Sequence, residues 1–316
     1  MPTPVPDRRL VAIEPLLVPT TGRGTDLHVK VTAPADGHDL PVLVFSHGNA
    51  WSMDGYGPLA ARWAAAGFVV VQPTHLDARR YGLGVDDPRF PGIWRTRIAD
   101  LHAVLDHLGD LLDQVPGLSG RADRARVALA GHSWGGQSAG ALLGARVLPP
   151  AGDPEEDFRH PAVRAGALIA APGTGESLTA FAHEHLPFMR PDFSTLTTPT
   201  LVVAGGRDDS ALSTRGPDWF TDAHVLSPAP TRLLTIAEGE HTLGGLAGEA
   251  VRETTDEDPE RVALVADAVA AYLLDVLTGD GTAWREVEER ARRSRVEGGS
   301  GVFDVETSPV PAVSRW

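Results

Sequence analysis

Ser133 stands between glycines in "AGHSWGG" (residues 130–136), directly after the apolar run "RVALA" and before the helix-like "GGQSAGALLGA". The GxSxG pattern, here Gly131, His132, Ser133, Trp134 and Gly135, suits a nucleophile on a strained strand-to-helix corner, where side chains at the flanking positions would collide. A hydroxyl is a weak nucleophile at neutral pH, so it needs a base within hydrogen-bond reach and a third group that holds the base in the right tautomer. His241, in the glycine-bearing loop "EGEHTLGG", is the candidate base. His132 is a rival by adjacency, but neighbouring side chains on such a turn point apart. For the acid, the strand "PTLVVAG" ends at Gly205, and an acid three places further on is Asp208; counting from Gly206 selects Asp209 instead. Asp208 is preferred and Asp209 stays as the alternative, while Asp192, Asp218 and Asp222 read as caps or surface groups. Acyl transfer also needs donors aimed at the oxygen that becomes negative. The N–H of Trp134, next to the serine, and that of Asn49, in "FSHGNAW", are the candidate oxyanion donors.

These residues need a scaffold that brings distant loops to one edge. Eight apolar runs, "RLVAIEPLLV", "DLHVKVTA", "PVLVFS", "FVVVQP", "RVALAG", "AGALIAA", "TLVVAG" and "TRLLTIA", alternate with segments of helical spacing. That alternation predicts an α/β fold, a mostly parallel eight-stranded sheet flanked by helices, and ligands of such sheets gather at the carboxyl ends of the strands. Four of those ends carry His47, Ser133, Asp208 and His241. Helices are expected over "YGPLAARWAAAG", closed by Gly67, over "IWRTRIADLHAVLDHLGDLL", over "SAGALLGARVL", and over "DPERVALVADAVAAYLLDVL", with Asp258 as N-cap and Pro259 in the first turn. The charged "AWREVEERARRS" predicts a surface helix. One domain is expected over residues 1–316, its core at about 26–278 and a loosely held tail at about 297–316.

Composition narrows the function. With 42% hydrophobic residues, the chain of 316 residues can bury a sizeable core, and a net charge of −14 opposes binding to nucleic acid or an anionic membrane surface. There is no cysteine, hence no disulfide, thiolate metal site or cysteine nucleophile. No apolar run approaches the roughly 18 residues of a membrane span, so a cytoplasmic protein is expected, with neither nucleic acid nor membrane as partner. The histidines of "HEH" (183–185) lie two apart and face different ways on a helix, without a third ligand, so no metal is expected. His75, at the end of "FVVVQP", reads equally as a substrate contact or a structural histidine. Trp51, Trp94, Phe188, Met189, Trp219 and Phe220 fall outside the periodic core and are candidates for an apolar pocket.

Through "FSHGNAW", "GFVVVQPTHLD", "AGHSWGGQSAG", "TPTLVVAGGRDD" and "GEHTLGG" the chain resembles the α/β-hydrolase superfamily. Within it, the elbow and the histidine loop are most similar to bacterial proteins grouped with chlorophyllases, dienelactone-hydrolase-like enzymes, platelet-activating-factor acetylhydrolases and cutinases. The resemblance implies an α/β-hydrolase fold, a triad of Ser133, Asp208 and His241, and an oxyanion hole from Asn49 and Trp134, while the short stretch between "AGALIAA" and "TPTLVVAG" leaves no room for a large lid. It implies a small-molecule carboxylic ester as substrate and no cofactor. An amide, lactone or C–C bond as target, or a non-catalytic binding protein, stays open.

Overall fold

In the computed structural model of the protein, residues 8–148, 156–228, 230–248, 255–296 and 303–307 are described. The eight expected strands all form: β1 (Leu10–Val18), β2 (Leu27–Pro34), β3 (Leu40–Ser46), β4 (Val69–Pro73), β5 (Ala122–His132), β7 (Val163–Ile169), β9 (Thr200–Gly205) and β10 (Thr231–Ile236). Two short strands, β6 (Arg146–Val147) and β8 (Pro191–Asp192), pair with each other apart from the main sheet. A further strand, β11 (Phe303–Thr307), pairs antiparallel with β10 and extends the main sheet to nine strands, in the order β1-β2-β4-β3-β5-β7-β9-β10-β11. This corrects the expectation of eight strands; of the span 297–316 expected as a loosely held tail, only Phe303–Thr307 are among the described residues. The anchor is Phe303, buried in the core, and the short alternating "FDVET" could have marked the strand.

The pleat explains how a run such as "PVLVFS" is buried on both faces. Successive side chains point to opposite sides of the sheet. Val42 and Val44 join a core with Leu101, Leu105 and Leu142, whereas Leu43 and Phe45 join a second core with Leu59, Trp63 and Val269. The first core lies beneath α2 (Ile93–Asp106), α3 (Leu108–Asp113) and α4 (Trp134–Leu143). The second lies beneath α1 (Gly57–Ala65), α7 (Pro259–Thr278) and α8 (Thr282–Val296). Two short α-helices, α5 (Ala180–His185) and α6 (Asp222–Leu226), also form.

Local signals act largely as read. Gly67 follows α1 with φ 114°, and the Asp258 carboxylate accepts from the N–H groups of Glu260 and Arg261 to cap α7. Three readings shift. The long helix over "IWRTRIADLHAVLDHLGDLL" divides at His107, whose ring and backbone N–H both bond Ala103 O. α4 stops at Leu143, so that Arg146 and Val147 enter β6. α8 is amphipathic rather than wholly superficial: Trp284, Val287 and Ala291 are buried, and the Trp284 ring meets Tyr272 edge-on at 5.3 Å. No described helix is long and apolar enough to cross a membrane.

Candidate active site

The corner between β5 and α4 holds Ser133 at φ 55° and ψ −124°, a conformation that costs a non-glycine residue on the order of 1–3 kcal/mol and persists only when its surroundings enforce it. Here the Ser133 N–H donates to Ile169 O at 2.9 Å, and Ser133 O accepts from Gly136 N at 2.8 Å. A Cβ on Gly131 would strike the Gly135 carbonyl, and one on Gly135 would strike the Ser46 carbonyl of β3. The two glycines of GxSxG are therefore demanded by backbone closing in on both sides of the serine.

At this corner the structure joins three of the residues singled out above. His241 Nε2 lies 2.9 Å from Ser133 Oγ, and His241 Nδ1 lies 2.9 and 3.2 Å from the two Asp208 oxygens. An ionised carboxylate only accepts, so Nδ1 carries the proton and Nε2 is left as the acceptor for the serine hydroxyl. The Asp208 carboxylate is fully buried; burial pushes its pKa up and the hydrogen bond from His241 pulls it down. Asp209 is exposed to solvent. The loops bearing acid and base are tied together by Gly206 N to Ile236 O at 2.7 Å and Arg207 N to Gly239 O at 2.9 Å. His241 keeps 34% of its side chain exposed, so the reacting end of the chain is reachable from solvent.

His132 does different work from His241. Its Nε2–H donates to His241 O at 2.8 Å, which leaves Nδ1 to accept the Tyr56 hydroxyl proton at 2.9 Å. Burial lowers its pKa to about 3, so the ring stays neutral beside His241. His75 is fully buried, bonded to Ser46 Oγ at 2.9 Å and Asp100 at 3.0 Å, which makes it a structural histidine. His47 Nδ1–H donates to Gly48 O at 2.7 Å and its Nε2 accepts the His75 N–H at 2.9 Å; burial holds its pKa well below the usual histidine range.

A pH dependence of stability follows from these buried rings. Folded, His47 and His132 stay neutral; unfolded, each takes up a proton below about pH 6.5. Stability is therefore complete above that pH and declines as pH falls, by up to about 1.4 kcal/mol per pH unit for each ring. His75, lowered, and Asp100, pushed up to about 7, shift in opposite directions and act against each other. The urea midpoint should accordingly drop steeply between pH 7.5 and pH 5.5; an unchanged midpoint would mean that these rings are not buried as described.

Sequence reasoning missed Tyr56, Asp77, Arg97, Asp100 and Arg23. Arg97 and Asp77 form an ion pair at 2.7 Å with each side chain 1% exposed, and Arg23 pairs with Asp100 at 2.8 Å. The available signal was Arg97 and Asp100 interrupting the apolar stripe of α2 that contains Ile98 and Leu101, since charges in such a stripe are buried only with partners.

Of the pocket candidates, Phe188 packs edge-on against Trp134 at 5.6 Å, with Phe90 at 6.1 Å from the same indole, and Phe220 lies 5.5 Å from His241. Trp51 contacts Tyr56 at 5.8 Å and stays partly exposed. Met189 and Trp219 are buried, the latter donating to Thr174 O, and Trp94 packs on Phe158. In "HEH", the His185 ring packs at a tilt against Phe181 and lies 3.9 Å from Glu184. Among the described residues one trio of metal-type side chains converges, His102, Asp106 and His160. Its His160 ring is committed at both nitrogens, accepting from Ala162 N at Nδ1 and donating from Nε2 to Asp106.

No curated protein matches the chain. The sequence profile of the alpha/beta hydrolase family does, over residues 43–309, a span that runs from within β3 through β11 and includes the strand ends that carry His47, Ser133, Asp208 and His241. A mostly parallel sheet with a serine on the sharp turn after its central strand is the architecture that this match leads one to expect, and the chain belongs to the alpha/beta hydrolase family.

Proposed function

We propose that the protein hydrolyses a small carboxylic ester through an acyl-enzyme, with Ser133 as nucleophile, His241 as general base and acid, and Asp208 as the group that orients the imidazole. Ser133 Oγ bonds to the carbonyl carbon while its proton passes to His241 Nε2. The C–O bond to the alcohol then breaks, and the same proton goes to the departing alkoxide. Water repeats the sequence on the acyl-serine and releases the acid. Asn49 N–H and Trp134 N–H hold the carbonyl oxygen while it is negative; losing one such donor typically costs about 2.7–4 kcal/mol of the barrier.

The observation that carries this reading is the hydrogen-bonded chain from Ser133 Oγ through His241 to Asp208, whose carboxylate can only accept and so favours the proton on Nδ1. The choice of an ester, and of the branch near chlorophyllases, dienelactone-hydrolase-like enzymes and cutinases, rests on the sequence resemblance. It is tested by rapid mixing with p-nitrophenyl esters of graded acyl length and with the matching anilides. The expected result is turnover of the esters at least a hundredfold faster than the anilides, with a burst of nitrophenol where deacylation is slow. Preferential cleavage of the anilides would replace the ester with an amide, and turnover of neither, in a protein unreactive toward acylating reagents, would favour a binding protein on the same fold.

A further inference from the structure

The loop after β3 presents four successive amides beside Ser133, and three already have acceptors. Gly48 N–H donates to the Tyr56 hydroxyl at 3.1 Å, Ala50 N–H to Asp77 Oδ2 at 3.4 Å, and Trp51 N–H to Gly48 O at 3.3 Å. Among the described residues no acceptor is found for Asn49 N–H, nor for Trp134 N–H at the start of α4. The loop also lies against the nucleophile, since a Cβ built on Gly48 would sit 3.5 Å from Ser133 Cβ.

We infer that Tyr56 and the buried Asp77–Arg97 pair are positioning residues of the oxyanion hole, which occupy the amides flanking Asn49 and fix its N–H relative to Trp134; the inference rests on the proposed esterase reading. The Tyr56 hydroxyl accepts from Gly48 N–H and donates to His132, whose far nitrogen donates to His241 O. One phenol thus links the oxyanion loop to the loop of the base. Arg97 completes a second link. Its Nη1 holds both Asp77 oxygens, Nη2 donates to the His47 carbonyl, and Nε donates to Ser138 Oγ at 3.1 Å, which in turn donates to Trp134 O at 3.0 Å. One guanidinium therefore grips both segments that supply the free amides. A buried ion pair is weak evidence for stability because desolvation opposes it, but with every donor satisfied it fixes geometry.

The test compares Tyr56→Phe, Asp77→Asn and Ser138→Ala with the unaltered protein on a p-nitrophenyl ester and on an aryl trifluoromethyl ketone, whose hemiketal on the serine carries a full oxyanion. Lower kcat is expected, about tenfold for Tyr56→Phe and Ser138→Ala and about a hundredfold for Asp77→Asn, with KM within about threefold. The ketone's Ki should rise by the same factor as kcat/KM falls. A merely structural role would lower the active fraction and leave Ki unmoved, and that outcome, or wild-type kinetics in all three, overturns the inference. Should Asp77→Asn fail to fold, Tyr56→Phe and Ser138→Ala decide it. Absence of ketone inhibition and ester turnover in the unaltered protein would instead sink the esterase reading itself.

Discussion

Ser133→Ala is expected to lower kcat for a p-nitrophenyl ester by about 10^5- to 10^6-fold while the melting temperature shifts by only a few degrees. The substitution removes one oxygen, and with it the atom that bonds to the carbonyl carbon in the proposed reaction. The hydrogen bond to His241 Nε2 goes with it, but the corner, the hydrogen bond from Ser133 N–H to Ile169 O and the two free amides stay. Those donors alone sustain a residual rate, which is why the loss is finite and why removing a second member of the chain adds little to it. The check is steady-state kinetics on the purified variant beside a thermal melt. Residual activity within a hundredfold of the unaltered protein would require another nucleophile.

Asp208→Asn is expected to cost about 10^4-fold in kcat, or roughly 5.5 kcal/mol of barrier, whereas Asp209→Asn should stay within about threefold of the unaltered protein. An asparagine fits the same space, but its amide can donate to His241 Nδ1. That hydrogen bond favours the tautomer with the proton on Nε2, which cannot accept from Ser133 Oγ. The effect is one of proton placement, so the fold should be retained. Asp209 is solvent-exposed, so its neutralisation leaves His241's hydrogen bonds intact. The two variants assayed in parallel test the register of the acid: loss of turnover in Asp209→Asn alone would reverse the assignment.

Much of this molecule is legible in its sequence because the legible parts obey local rules. Buried parallel strands must be apolar on both faces, so "PVLVFS" and "TLVVAG" stand out. The corner at Ser133 can be closed only with glycine at positions 131 and 135, where backbone presses from Gly135 and from β3. β11 was hidden because its pairing partner, β10, is far away in sequence and its neighbours are glycine, serine and proline. Arg97 and Asp77 were hidden for a different reason. A charged residue on a helix is ordinarily solvated, and only the meeting of α2, the segment after β4 and the loop after β3 turns these two into a buried pair. His132 shows the same limit: the sequence sets it beside Ser133, but its hydrogen bonds to Tyr56 and His241 O depend on loops 76 and 109 residues away.

Whether Ser133 is an activated nucleophile is read out by covalent labelling with a fluorophosphonate followed by intact-mass and peptide mass spectrometry. One adduct per chain is expected, located on Ser133, missing in Ser133→Ala and formed far more slowly in His241→Ala. An unmodified protein, or an adduct on a different residue, would contradict it.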